Sequence, residues 1–197
     1  DAAIASLQPR FAAIDRRTEH SLGRLLATFR KHGIGSHHFA GVDGYGHGDL
    51  GREALDAVFA DLMGAEAALV RVQCFSGTHA IACALYGVLR PGDELLGVSG
   101  APYDTLEEVI GLRGGTDDGL RGTLADFGVS YAQVELATAA SEGGDGAGSG
   151  GGDLAAATFD LPAIEAAITP ATRMVHVQRS CGYSWRASIS VAEIGRL

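Results

Sequence analysis

Between residues 67 and 99 the hydrophobic pattern changes period twice, and no other feature restricts the possible folds as much. An apolar run at 67–73 reads as a strand. Ser76-Gly77-Thr78 follows, and then a segment at 77–89 with apolar residues at helical spacing. Pro91-Gly92-Asp93 breaks that helix, and 94–99 is again a short apolar run. Further strands are expected at 129–136 and 173–178, and further helices at 105–112 and 161–168. Asp160 is the expected cap of the last helix, with Pro162 in its first turn. Strands alternating with helices imply an α/β fold with a mostly parallel sheet covered by helices.

The flanks are of another kind. In residues 1–32, Ile4, Leu7, Phe11, Ile14, Leu22, Leu25, Leu26 and Phe29 recur at helical spacing. Residues 33–50 hold Gly33, Gly35, Gly41, Gly44, Gly46 and Gly48 and read as a loop. Residues 51–64 read as an amphipathic helix with Leu55, Val58, Phe59 and Leu62 inward. The expected organisation is therefore an N-terminal helix and Gly-rich loop over 1–50, then an incomplete large domain over 51–197. Residues 141–153, almost all Gly, Ser, Ala and Asp, read as a flexible insertion within it. Ser190 and Glu193 have capping-box spacing at the very end, so the natural sequence is expected to continue past Leu197.

Composition removes several classes of function. A formal net charge of −9 with no basic block argues against nucleic acid and anionic membrane as partners. No apolar run has the length of a membrane span. Three cysteines, Cys74, Cys83 and Cys181, fall in apolar or strand-like contexts, which suits a reduced compartment: the cytoplasm, or alternatively a plastid stroma.

The candidate chemistry gathers at strand ends. A strand that stops at Ser76-Gly77-Thr78 and starts a helix points unpaired backbone N–H groups outward, which suits a phosphate. An ordinary N-cap gives the same letters. Tyr103 follows the next strand, on the sheet edge where α/β proteins bind ligands, and half-buried packing is its plain alternative. Arg179 and Ser180 follow another strand, and an arginine there is either a fork for a carboxylate or a surface residue. Cys181 is a candidate nucleophile with no identifiable partner base. His37, His38, His47 and Asp49 match no metal-ligand spacing, so no metal is expected. The five letters from Gly97 to Ala101 miss the hydrolase elbow, and no Gly-x-Gly-x-x-Gly follows the first strand.

Taken in order, Gly44-Tyr45-Gly46, Gly51-Arg52-Glu53, Gly64-Ala65-Glu66, Ser76-Gly77-Thr78-His79-Ala80-Ile81, Pro91-Gly92-Asp93-Glu94, Pro102-Tyr103-Asp104-Thr105, Gln178-Arg179-Ser180 and Gly182-Tyr183 resemble the methionine gamma-lyase family of fold-type-I pyridoxal 5'-phosphate (PLP) enzymes, in its aluminium-resistance branch. The resemblance covers about the first half of a typical member. It implies that Ser76, Gly77 and Thr78 hold the PLP phosphate. Tyr103 would stack on the ring and assist the leaving group. Tyr45 would reach the phosphate of a neighbouring subunit's cofactor, so a homodimer or homotetramer is implied. The better-known lyases carry an arginine where this chain has His47. Arg179 would face the substrate carboxylate or the cofactor's phenolic oxygen. The implied reaction is elimination at a carbon–sulfur bond of a sulfur amino acid. Other PLP reactions on the same scaffold, such as transsulfuration or aldolase-type cleavage, stay open, as does a non-catalytic binding or oligomerising protein. PLP chemistry also needs a lysine and a carboxylate on the ring nitrogen. Lys31, the single lysine, sits at a helix end, and in the family both groups lie beyond Leu197. The 197-residue segment alone is expected to be inactive.

Overall fold

Ser76 starts the helix that organises the larger part of the molecule. In the computed structural model its Oγ accepts the His79 N–H at 3.1 Å, an N-cap that leads directly into α3, Gly77–Val88. The structure describes residues 2–42, 45, 49–113, 121–138, 157–180 and 186–197. The expected insertion at 141–153 lies outside them, as do His47, Cys181 and Tyr183. The chain divides into two compact units, Asp1–Cys74 and Phe75–Leu197.

In the first unit, α1 (Ala2–Lys31) and α2 (Leu50–Met63) pack together. Arg24 Nη2 donates to the Leu62 carbonyl at 3.1 Å, and Lys31 Nζ and His32 Nε2 both reach Asp61 Oδ2, at 2.8 and 3.0 Å. Those two contacts hold the Asp61 carboxyl below its usual range, Lys31 first. Asp49, buried, caps α2 by accepting the Arg52 N–H at 3.1 Å, and Gly64 ends the helix in the left-handed region at φ 63°. A 3-10 turn at Ser36–Phe39 lies against α2. Gly51 makes that approach possible, because a Cβ there would stand 2.5 Å from the His38 carbonyl.

Residues 67–73 depart from expectation. They form no strand ladder. The Val70 N–H and the Arg71 guanidinium both donate to Asp56 Oδ1 on α2, at 2.8 and 2.7 Å, and the backbone then turns, with Cys74 N bonded to Arg71 O. The segment is tied to a helix side chain instead of to a neighbouring strand. Leu69, Val72 and Phe75 stay exposed.

The second unit is the α/β body. Its strands β1 (Glu94–Gly97), β2 (Ser130–Gln133) and β5 (Thr172–His176) form a parallel sheet in the order β2-β1-β5. Leu95 lies opposite Tyr131 on one side and Met174 on the other. Central β1 is buried on both faces, as an apolar strand between helices should be. On one face Leu95 packs with Leu85 and Leu89 near the end of α3 and with Leu106 and Ile110 of α4 (Asp104–Ile110). On the other, Leu96 and Val98 meet Ile164 of α5 (Leu161–Ala167). Asp160 caps α5, and Ser190 with Glu193 forms a capping box on the short α6, Val191–Ile194. A two-stranded antiparallel pair, β3 (Ala137–Thr138) and β4 (Ala157–Thr158), was not foreseen.

Candidate functional site

Three backbone segments meet beyond the carboxyl end of β1. Past Gly97 the chain stays extended: Val98 N bonds to His176 O at 3.0 Å and Gly100 N to Val134 O at 3.0 Å, so each neighbouring strand is still held there. Gly100 then turns at φ 80°. A side chain at this position would be strained, and its Cβ would also stand 2.7 Å from Glu135 Oε2. Pro102 is buried, and Tyr103 opens α4.

Tyr103 is fixed at both ends. Its backbone N–H donates to Gln178 Oε1 at 2.9 Å, and the Gln178 N–H donates to the buried Ser99 Oγ at 2.7 Å. The loops after β1 and β5 are thereby locked together. At its other end the Tyr103 hydroxyl donates to Thr78 Oγ1 at 3.0 Å. The structure thus joins Tyr103 directly to the first turn of α3. Thr105 adds a third hydroxyl, with its Oγ1 at 3.1 Å from Thr78 Oγ1.

The first turn of α3 has the properties of an anion seat. The amides of Gly77 and Thr78 have no acceptor within the helix, because a helix leaves its first N–H groups unpaired. A Cβ on Gly77 would meet nothing within 4 Å, so the backbone is open there. His79 closes the turn on the other side. Its Nδ1 accepts the Phe75 N–H at 3.2 Å, and its ring stacks on Phe75 with centroids 5.6 Å apart. Ser76, Thr78 and Thr105 line one open groove of about 720 Å³, with Tyr86, Arg121 and Thr123 further along it.

Arg179 follows Gln178 in sequence. It is exposed, and its Nε donates to the Ile189 carbonyl at 2.8 Å while the Ile189 N–H returns a bond to Arg179 O. Arg186, not marked out by the sequence, braces the same loop by donating to the carbonyls of Gln178, Ser180 and Ala187. Tyr45 belongs to the first unit and is 83% exposed. Among the described residues no group of three or more His, Cys, Asp or Glu could hold a metal ion, and no helix is long and apolar enough to cross a membrane.

Beside the site, Tyr131 lies across β1, with its hydroxyl donating to Gln133 Oε1 at 3.2 Å. Burial, then the charges of Glu135 and Glu107, pushes its phenol up to about 12. Gly97 makes room for it, since a Cβ there would stand 2.5 Å from the Tyr131 hydroxyl.

The model of the family described as methionine gamma-lyase matches residues 1–197. The chain belongs to that family. Its relatives in the methionine gamma-lyase family include an uncharacterized Bacillus subtilis (strain 168) protein, YnbB, 43% identical over 98% of this chain and 41% of its own length. Among solved structures, a carbon-sulfur lyase involved in aluminum resistance from Clostridium novyi NT is 35% identical with a TM-score of 0.81, covering 99% of this chain and 42% of that one. A Listeria monocytogenes (str. 4b F2365) protein, described as a candidate cystathionine beta-lyase involved in aluminum resistance, is 37% identical with a TM-score of 0.81, covering 98% of this chain and 42% of that one. The chain thus spans about two-fifths of the length of these relatives.

Proposed function

We propose that this chain forms the phosphate-holding part of a PLP-dependent carbon–sulfur lyase acting on a sulfur amino acid. The observation that carries the reading is the 3.0 Å hydrogen bond from Tyr103 to Thr78, which sets a flat aromatic ring beside an open helix N-terminus. Phosphate and a planar ring are the two parts of PLP that a protein must grip. The residues present suit both: backbone amides and the hydroxyls of Ser76 and Thr78 for the phosphate, and the face of Tyr103 for the ring. PLP, when bound, supplies an electron sink that stabilises negative charge developing at the substrate Cα.

What the chain itself contributes is placement. The Gln178 contact fixes the Tyr103 backbone, so the ring cannot drift from the α3 N-terminus. In this reading the Tyr103 hydroxyl stays bonded to Thr78 while the cofactor is held and leaves it only to hold a proton for the departing sulfur. Arg179 is assigned to the substrate carboxylate; its Nε donates to Ile189 O, and the residue is exposed. Tyr45 is assigned to a neighbouring subunit's cofactor phosphate, which makes the active unit at least a dimer. Lys31 is not assigned as the anchoring lysine; it pairs with Asp61 at the end of α1. That lysine is assigned to the part of the protein matching the remaining length of the relatives, so residues 1–197 alone do not turn over substrate. Cys74 and Cys83 are free thiols, and the reading places the protein in the cytoplasm.

The test is the visible spectrum of the full-length protein with PLP, before and after borohydride. A yellow band that borohydride abolishes, with PLP fixed on one lysine and release of a 2-oxo acid from a sulfur amino acid, is expected. Absence of the band would end the PLP reading. Tyr103→Ala should let PLP be lost on dialysis, whereas full retention would remove Tyr103 from the ring site.

A further inference from the structure

We infer that Thr105 is a positioning residue whose hydroxyl determines where the Thr78 proton points, and thereby favours a phosphate over a neutral group at the start of α3. The inference rests on the phosphate-seat reading of Thr78. A threonine hydroxyl has one proton to donate and two lone pairs to accept with. At Thr78 the Tyr103 hydroxyl occupies one lone pair at 3.0 Å. The Thr105 hydroxyl stands 3.1 Å away, and the geometry allows either partner to be the donor.

An anion at the helix end removes that freedom. A hydrogen bond to a charged acceptor is roughly twice as strong as one between neutral groups, so the Thr78 proton goes to the anion. Thr105 then donates into the second lone pair of Thr78. With both lone pairs filled, the proton has only the outward direction. Donation from two hydroxyls also polarises the Thr78 O–H and makes it a better donor. Thr78 is the second residue of α3, so its amide and its hydroxyl would serve the same ligand. Thr105 lines the same groove but acts through Thr78, from a different helix and 27 residues later in the chain.

The full-length protein and its Thr105→Val and Thr105→Ser variants separate this role from a packing role. Valine keeps the shape without the hydroxyl, and serine keeps the hydroxyl. Thr105 is exposed, so both variants should fold. Each protein is titrated with PLP and, separately, with pyridoxal, which lacks the phosphate. Bound ligand is measured by ultrafiltration and absorbance. The expected result is a loss of about tenfold in PLP affinity for the valine variant, with pyridoxal changed by less than about twofold and serine restoring PLP binding. Unchanged PLP affinity in the valine variant, or equal losses for PLP and pyridoxal, would overturn the role. If the unaltered protein itself does not prefer PLP to pyridoxal, the phosphate-seat reading falls, and that outcome is read before any variant is compared.

Discussion

The two units use similar sequence patterns to different ends. Helix α1 carries a long apolar stripe, yet Ile4, Phe11, Ile14, Leu22 and Leu26 are all between 44% and 57% exposed. In the second unit, the shorter apolar runs at 94–98 and in α4 put Leu95, Leu96, Val98 and Leu106 at 0%. Periodicity proposes a helix or a strand. Burial needs a second surface at the right distance, and among the described residues the sheet has helices packed on both of its faces.

That contrast can be broken by mutation. Leu95→Ala should cost about 2–5 kcal/mol in chemical denaturation, because it removes a side chain packed between α3 and α4. Leu22→Ala on α1 should stay within about 0.5 kcal/mol. A loss at Leu22 comparable to that at Leu95 would show that the α1 stripe is covered in solution. Asp56→Ala should produce a smaller loss than Leu95→Ala, since it frees residues 70 and 71 from α2 while removing only partly exposed contacts.

The pH dependence sharpens the same comparison. The Asp56 carboxyl is held below its usual range by Arg71 and the Val70 N–H. Its contribution is therefore present above the unfolded value of about 4 and is lost as pH falls through the lower folded value. His176, at the end of β5, is pushed down by burial. Between its folded value and about 6.5 the unfolded chain binds more protons than the folded one, so stability rises with pH. Acidification from pH 7 should thus weaken the second unit before Asp56 titrates in the first. His176→Asn should flatten the upper limb of the stability–pH curve, and Asp56→Ala the lower one. An upper limb unchanged in His176→Asn would remove the histidine from the account. This is the smallest of the expected effects.

Local signals explain which elements could be read from sequence. Ser76, Asp160 and the Ser190/Glu193 pair are caps, and a cap acts within four residues, so α3, α5 and α6 start where their letters say. The segment 67–73 has strand letters, but a ladder is a property of two segments, and Asp56 claims the Val70 amide instead. The site divides in the same way. Ser76, Gly77 and Thr78 follow from a cap and turn before a helix, although the strand expected ahead of them forms no ladder, and Tyr103 follows from its place after β1. Gln178 reaches Tyr103 across 75 residues and Thr105 reaches Thr78 across 27, and nothing local distinguishes them from other polar residues near a strand end or helix start. Arg186 was missed for the same reason, since its partners are backbone carbonyls.

The strand order β2-β1-β5 has a practical consequence at the bench. Both outer strands leave one row of backbone donors and acceptors without a strand partner among the described residues, and along β5 the exposed Val175 adds an apolar contact. Such edges are templates for pairing with another chain. A preparation of residues 1–197 should therefore self-associate and precipitate more readily as its concentration rises, and charged substitutions at the outward position of Val175 should raise its solubility limit.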